Sequence, residues 1–144
     1  MAPLLARLGL GKGGFGFGKK SGGPPTYSVS PSTASVNEGS SVTFTVTTAN
    51  VPDATTLYWS LNTVSGTINT SDFTGAAVTG NFTITSNAGS VVLALANDTT
   101  TEGSESFQLQ VRTGSTSGTI VATSSTVTIG DTSLSPVPPT TISY

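Results

Sequence analysis

From Tyr27 to Ile129 apolar and polar residues alternate with a period of two, broken every eight to twelve positions by turn-forming residues. That rhythm predicts seven short strands. The first runs from Tyr27 to Val36 and is interrupted at Pro31, which suits an edge strand that switches sheets. The second is Val42 to Val46, with Val42, Phe44 and Val46 facing inward. Leu57–Leu61, Phe82–Ile84, Val91–Leu95 and Phe107–Val111 supply the third to sixth. The seventh spans Val121 to Ile129 and puts Val127 and Ile129 on one face. No segment has a helical period. Seven antiparallel strands in about 108 residues (26–133) match the count of an immunoglobulin-like sandwich, so the expected fold class is all-β. Trp59, on the third strand, is expected to pack between the sheets as a structural residue.

The two ends of the chain lack this alternation. Residues 1–25 are rich in glycine and end in Pro24-Pro25, and they read as an extended arm. Residues 134–144 hold Pro136, Pro138 and Pro139 and read as a short tail. Within 144 residues there is room for one core, not two.

Composition removes whole classes of chemistry. The chain has no Cys and no His, which excludes disulfide scaffolds, Cys/His zinc sites, cysteine nucleophiles and imidazole-dependent triads. Ser and Thr make up 48 of 144 residues, and only 8% are charged. Low charge combined with abundant Thr, Val and Gly fits a strand-rich domain better than a disordered chain. No apolar run is long enough to span a membrane, and Ala2–Leu10, with Arg7 inside it, makes a poor secretory signal. Asn69-Thr70-Ser71, Asn81-Phe82-Thr83 and Asn97-Asp98-Thr99 match the glycosylation pattern as a by-product of the threonine content. Nothing suggests an aromatic-lined cleft between paired carboxylates, so the protein is read as non-enzymatic.

Charge has a direction. Four of the five basic residues (Arg7, Lys12, Lys19, Lys20) fall in the first twenty positions, whereas all seven acids lie from Glu38 onward. In a seven-strand antiparallel sandwich, successive connections alternate between the two ends. The first, third and fifth connections therefore share one end with the exit of the last strand. Glu38 falls in the first connection, Asp72 in the third, and Asp98, Glu102 and Glu105 in the fifth. Asp131 follows the last strand, so six of the seven carboxylates are expected at one pole; Asp53 goes to the other. Such a cluster repels itself unless a cation joins it. Calcium, which takes six to eight oxygens in tolerant geometry, fits loops converging from different strands.

The quoted loops carry a resemblance. Val36-Asn37-Glu38-Gly39 followed by Val42-Thr43-Phe44-Thr45-Val46 resembles the opening of a Calx-beta domain. The likeness continues through Gly66-Thr67, Ser71-Asp72-Phe73, Asn97-Asp98, Glu102-Gly103-Ser104-Glu105-Ser106-Phe107 and Val127-Thr128-Ile129-Gly130-Asp131, over nearly all of residues 34–133. It implies an immunoglobulin-like sandwich of Calx-beta type. It also implies calcium ligands at Glu38, Asp72, Asp98, Glu102 and Asp131, with Glu105 as a supporting acid. Members that bind several ions have runs of adjacent aspartates where this chain has Asn97-Asp98 and Asp131-Thr132. The resemblance therefore implies one or two weak sites, at about 10⁻⁴ to 10⁻³ M.

In the arm, Leu4, Leu5, Leu8, Leu10, Phe15 and Phe17 are apolar anchors separated by glycines. Fully extended, the arm reaches up to roughly 80 Å. It lacks a phosphate-binding Gly-Lys-Ser/Thr loop in the required context, and its charge density is too low for strong nucleic-acid binding. The layout resembles accessory proteins of tailed bacteriophages. That resemblance implies a virion structural or decoration protein of capsid or tail, held to other virion proteins by residues 1–25. Its sandwich would be displayed outward, for stabilisation or for contact with host-surface glycans. The alternative expectation is a calcium-binding adhesion module of a cell surface.

Overall fold

The structure is a computed structural model that describes residues 22–133 and 141–143. The assembly anchors Leu4, Leu5, Leu8, Leu10, Phe15 and Phe17 lie outside the described residues, as does most of the 134–144 tail.

Nine strand segments form two sheets: β1 (Thr26–Pro31), β2 (Ser35–Asn37), β3 (Ser41–Ala49), β4 (Thr56–Ser65), β5 (Thr79–Thr83), β6 (Ala88–Ala94), β7 (Glu105–Thr113), β8 (Thr119–Thr123) and β9 (Val127–Gly130). One sheet has the order β1-β3-β6. The other has the order β2-β9-β7-β4-β5, with β8 also pairing to β7. The all-β sandwich expected from the alternation is the observed architecture.

Seven strand positions become nine segments because the first and last are each broken. Past Pro31 the Ser32 amide still donates to Thr43 O of β3 (2.8 Å); the chain then crosses, and β2 joins the opposite sheet from Ser35, where it runs parallel to β9. The second break separates β8 from β9 at Ser124. There the Ser124 amide donates to Leu109 O (2.9 Å), and the Leu109 amide donates to Ser124 Oγ (3.0 Å). A serine hydroxyl thus stands in for a missing strand partner inside the sheet, which satisfies a buried amide.

The inward residues of β3 (Val42, Phe44, Val46) are fully buried, as are Phe107, Leu109 and Val111 of β7. Trp59 is buried across from Gly80, where a side chain would collide with the indole. At one end of the core Phe107 meets Phe44 (centroids 6.1 Å apart) and Phe73 edge-on (5.7 Å). Phe73 directly follows Asp72, and Phe107 lies two residues beyond Glu105, so two of these rings are neighbours of acids along the chain. Among the described residues no helix is long and apolar enough to cross a membrane.

Candidate metal centre

Each acid-bearing loop is held by its own backbone before any ligand is considered. Glu38 and Glu102 are each followed by a glycine in the left-handed region (Gly39 at φ +75°, Gly103 at φ +84°). These turns need a residue without a Cβ penalty, and they reverse the chain immediately after the acid. The Gly39 amide donates to Ala96 O (3.2 Å), which ties the β2–β3 loop to the start of the β6–β7 loop. The Ala96 amide in turn donates to Asp72 O (2.9 Å).

The structure brings three of the expected ligands together. Carboxylate oxygens of Glu38, Asp98 and Glu102 all lie within 4.8 Å of one another. Two oxygens each about 2.4 Å from a single calcium ion are at most about 4.8 Å apart, so every pair among the three is close enough to share an ion. These acids line a small cleft of about 10 Å³ together with Asp72, Ala96, Gly103, Glu105 and Ile129. That space suits one water-sized body. Asp98 also turns one oxygen back to its own loop, accepting from the Thr100 amide (2.7 Å). Glu102 is exposed, and its carboxylate accepts no hydrogen bond among the described residues.

The other expected ligands are partly engaged elsewhere. Asp72 closes a capping box on the short 3₁₀ turn Thr70–Asp72, accepting from the Asn69 amide (2.6 Å) while the Asn69 side chain accepts from Ser71. Glu105 is buried and accepts from the Thr67 amide (2.6 Å). Asp131 accepts from the amides of Glu102 (3.0 Å), Gly103 (2.8 Å) and Ser133 (2.9 Å), and from the Ser133 hydroxyl. Asp53 lies at the opposite pole, accepting from the Ser86 amide (2.8 Å).

Two of these acids are driven in opposite directions. Partial desolvation and the negative charges of Asp98, Asp72, Glu105 and Glu38 raise the Glu102 pKa above the ordinary glutamate value. The Ser133 hydroxyl, followed by the backbone amides, holds the Asp131 pKa below the ordinary aspartate value. No cation offsets the cluster from within the described residues. Their one basic side chain, Arg112, is spent on Ser60 Oγ (2.7 Å), Gly118 O (2.8 Å) and Gln110 Oε1 (2.6 Å).

Sequence reading missed the partners of these acids. Thr132 donates both its amide (3.1 Å) and its hydroxyl (3.3 Å) to Glu38 Oε2. The Asn69-x-x-Asp72 spacing is a capping pattern, and Asp131-x-Ser133 has the spacing of an Asx turn; both were open to reading from the row of residues.

Fold and site together define an immunoglobulin-like all-β sandwich with an acidic pole. No protein-family model matches the chain, and no curated protein matches it. Among solved structures it is similar to the apo-form Calx CBD1 domain, at 15% identity over 74% of this chain and 97% of that one, with a TM-score of 0.42. It is also similar to CBD12 from CALX1.2, at 15% identity over 72% of this chain and 44% of that one, with a TM-score of 0.40. A third similarity is to a chain from a structure of T cell specificity and activation by the bacterial superantigen toxic shock syndrome toxin-1. There the identity is 12% over 72% and 97% of the two chains, with a TM-score of 0.38. Likenesses at these TM-scores carry no weight; the strand pairings described above define the fold.

Proposed function

We propose that this chain is a non-enzymatic sandwich module whose acidic pole binds a divalent cation, calcium, weakly. The observation that carries the reading is the convergence of Glu38, Asp98 and Glu102 oxygens from two connections onto one small cleft. Hard carboxylate oxygens with no thiol or imidazole among them favour calcium over zinc or copper. Loop carbonyls and water would complete the shell. Bound calcium would offset the mutual repulsion of the acids and tie the β2–β3 and β6–β7 loops together. Thermal melting tests this reading: about 5 mM calcium chloride should raise the melting temperature over that in chelator. The combined change Glu38→Gln, Asp98→Asn, Glu102→Gln should abolish the rise. An equal rise in the triple variant would refute this assignment.

The sequence supports a second element of the reading, namely what carries the module. Cations and glycine-spaced apolar anchors concentrate in the first twenty residues, apart from the acidic domain. This composition suits an adhesive arm that docks on a neighbouring protein, as in a virion decoration protein. Deleting residues 1–25 should leave a folded monomer that no longer joins its assembly; unchanged incorporation would refute the anchoring role.

A further inference from the structure

An ionised carboxylate offers about four lone-pair positions. In Asp131 they are met by four donors: Oδ2 accepts the Glu102 and Gly103 amides, and Oδ1 accepts the Ser133 amide and hydroxyl. No other carboxylate among the described residues is so fully engaged within the protein. The next two residues extend the same pattern. Thr132 gives its amide and hydroxyl to Glu38, and the Ser133 hydroxyl lies within hydrogen-bond distance of Thr100 O (3.0 Å) and Thr101 Oγ1 (3.2 Å). Asp131 and Thr132, the first two residues past β9, are thus bonded to the loop carrying Glu102 and to the loop carrying Glu38, and Ser133 braces Asp131.

We propose that Asp131 is a positioning residue and not a cation ligand: Asp131–Ser133 form a clasp that fixes Glu38 and Glu102 against each other. The part of this proposal that concerns the cation rests on the calcium reading above; the clasp itself does not. By holding the Glu102 and Gly103 amides, Asp131 sets the left-handed turn at Gly103 and hence the direction of the Glu102 side chain.

The test uses the full-length chain, with Asp131→Ala compared against Glu102→Gln. In metal-free protein, amide exchange at Glu102 and Gly103 should be slow in the native chain and at least about tenfold faster in Asp131→Ala. Equal rates would overturn the clasp whether or not any cation binds. With europium(III) as probe, luminescence lifetimes in light and heavy water count the waters on the bound ion. Glu102→Gln should add about one water. Asp131→Ala should leave the count unchanged while weakening affinity about 10- to 100-fold, the range seen when a ligand's support is lost. An added water in Asp131→Ala would make Asp131 a ligand and overturn the proposal. If the native chain binds neither calcium nor europium, the calcium reading falls and the exchange rates alone decide the clasp. Should Asp131→Ala fail to fold, Asp131→Asn, which keeps one acceptor oxygen, should show the same sign with smaller size; unchanged exchange there would count against the clasp.

Discussion

Glu38 and Thr132 stand ninety-four positions apart, yet the Thr132 amide and hydroxyl both donate to Glu38 Oε2. One carboxylate therefore faces the cleft shared with Asp98 and Glu102 while fastening the exit of the last strand. Thr132→Val removes the hydroxyl and keeps the amide. Calcium affinity should fall less than in Glu38→Ala, because one of the two tethers remains and no ligand is lost. Glu38→Ala should cost at least about tenfold, since an oxygen ligand and both tethers go together. Calorimetric titration of the two variants separates these effects.

Glu102 and Asp131 give opposite pH dependence. The Glu102 pKa is raised, so its favourable contribution is present below the ordinary glutamate range and is lost as pH rises through the raised value. Asp131, whose pKa is lowered, stabilises the fold above the ordinary aspartate range, and that contribution is lost as pH falls through the lowered value. In chelator at pH 7, Glu102→Gln should therefore melt at a slightly higher temperature than the native chain, with the gap closing near pH 3. In saturating calcium the order should reverse. Melting curves across pH, with and without calcium, check both signs.

Thr48 lies in the core with its Oγ1 buried and without a hydrogen-bond partner. A buried hydroxyl with no partner costs free energy that a methyl of the same shape does not. Thr48→Val should stabilise the fold by about 1 kcal/mol. The urea midpoint should rise with an unchanged slope.

Gly80 sits across from Trp59, and a Cβ built there would lie 2.8 Å from the indole Cε2 and Nε1. Gly80→Ala must push a buried ring in a packed core and should cost about 1–3 kcal/mol. By contrast Gly75→Ala, where a Cβ meets nothing within 4 Å, should be close to neutral. Chemical denaturation of the pair gives the comparison.

How far the row of residues foretold this molecule varies from strand to loop. Val42, Phe44 and Val46 alternate with threonines, and a period-two pattern with one buried face leaves little freedom in register. Counting strands then sent Glu38, Asp72, Asp98, Glu102, Glu105 and Asp131 to one end, because antiparallel connections alternate whatever their lengths. Which carboxylates face the cleft is a different matter. It depends on loop dihedrals and on where spare amides point: the Asp131 oxygens go to Glu102, Gly103 and Ser133, while those of Glu38, Asp98 and Glu102 meet one another. The break at Ser124 also turns on a single hydroxyl, a signal too local for alternation to carry.

The most direct test of the acidic pole is calorimetric titration of the full-length chain with calcium at pH 7 and physiological salt. Saturable binding at one or two sites, with Kd of about 10⁻⁴ to 10⁻³ M, eliminated when Glu38, Asp98 and Glu102 are neutralised together, is the expected result. Absence of saturable heat up to about 10 mM calcium, or binding that survives the triple neutralisation, would contradict it.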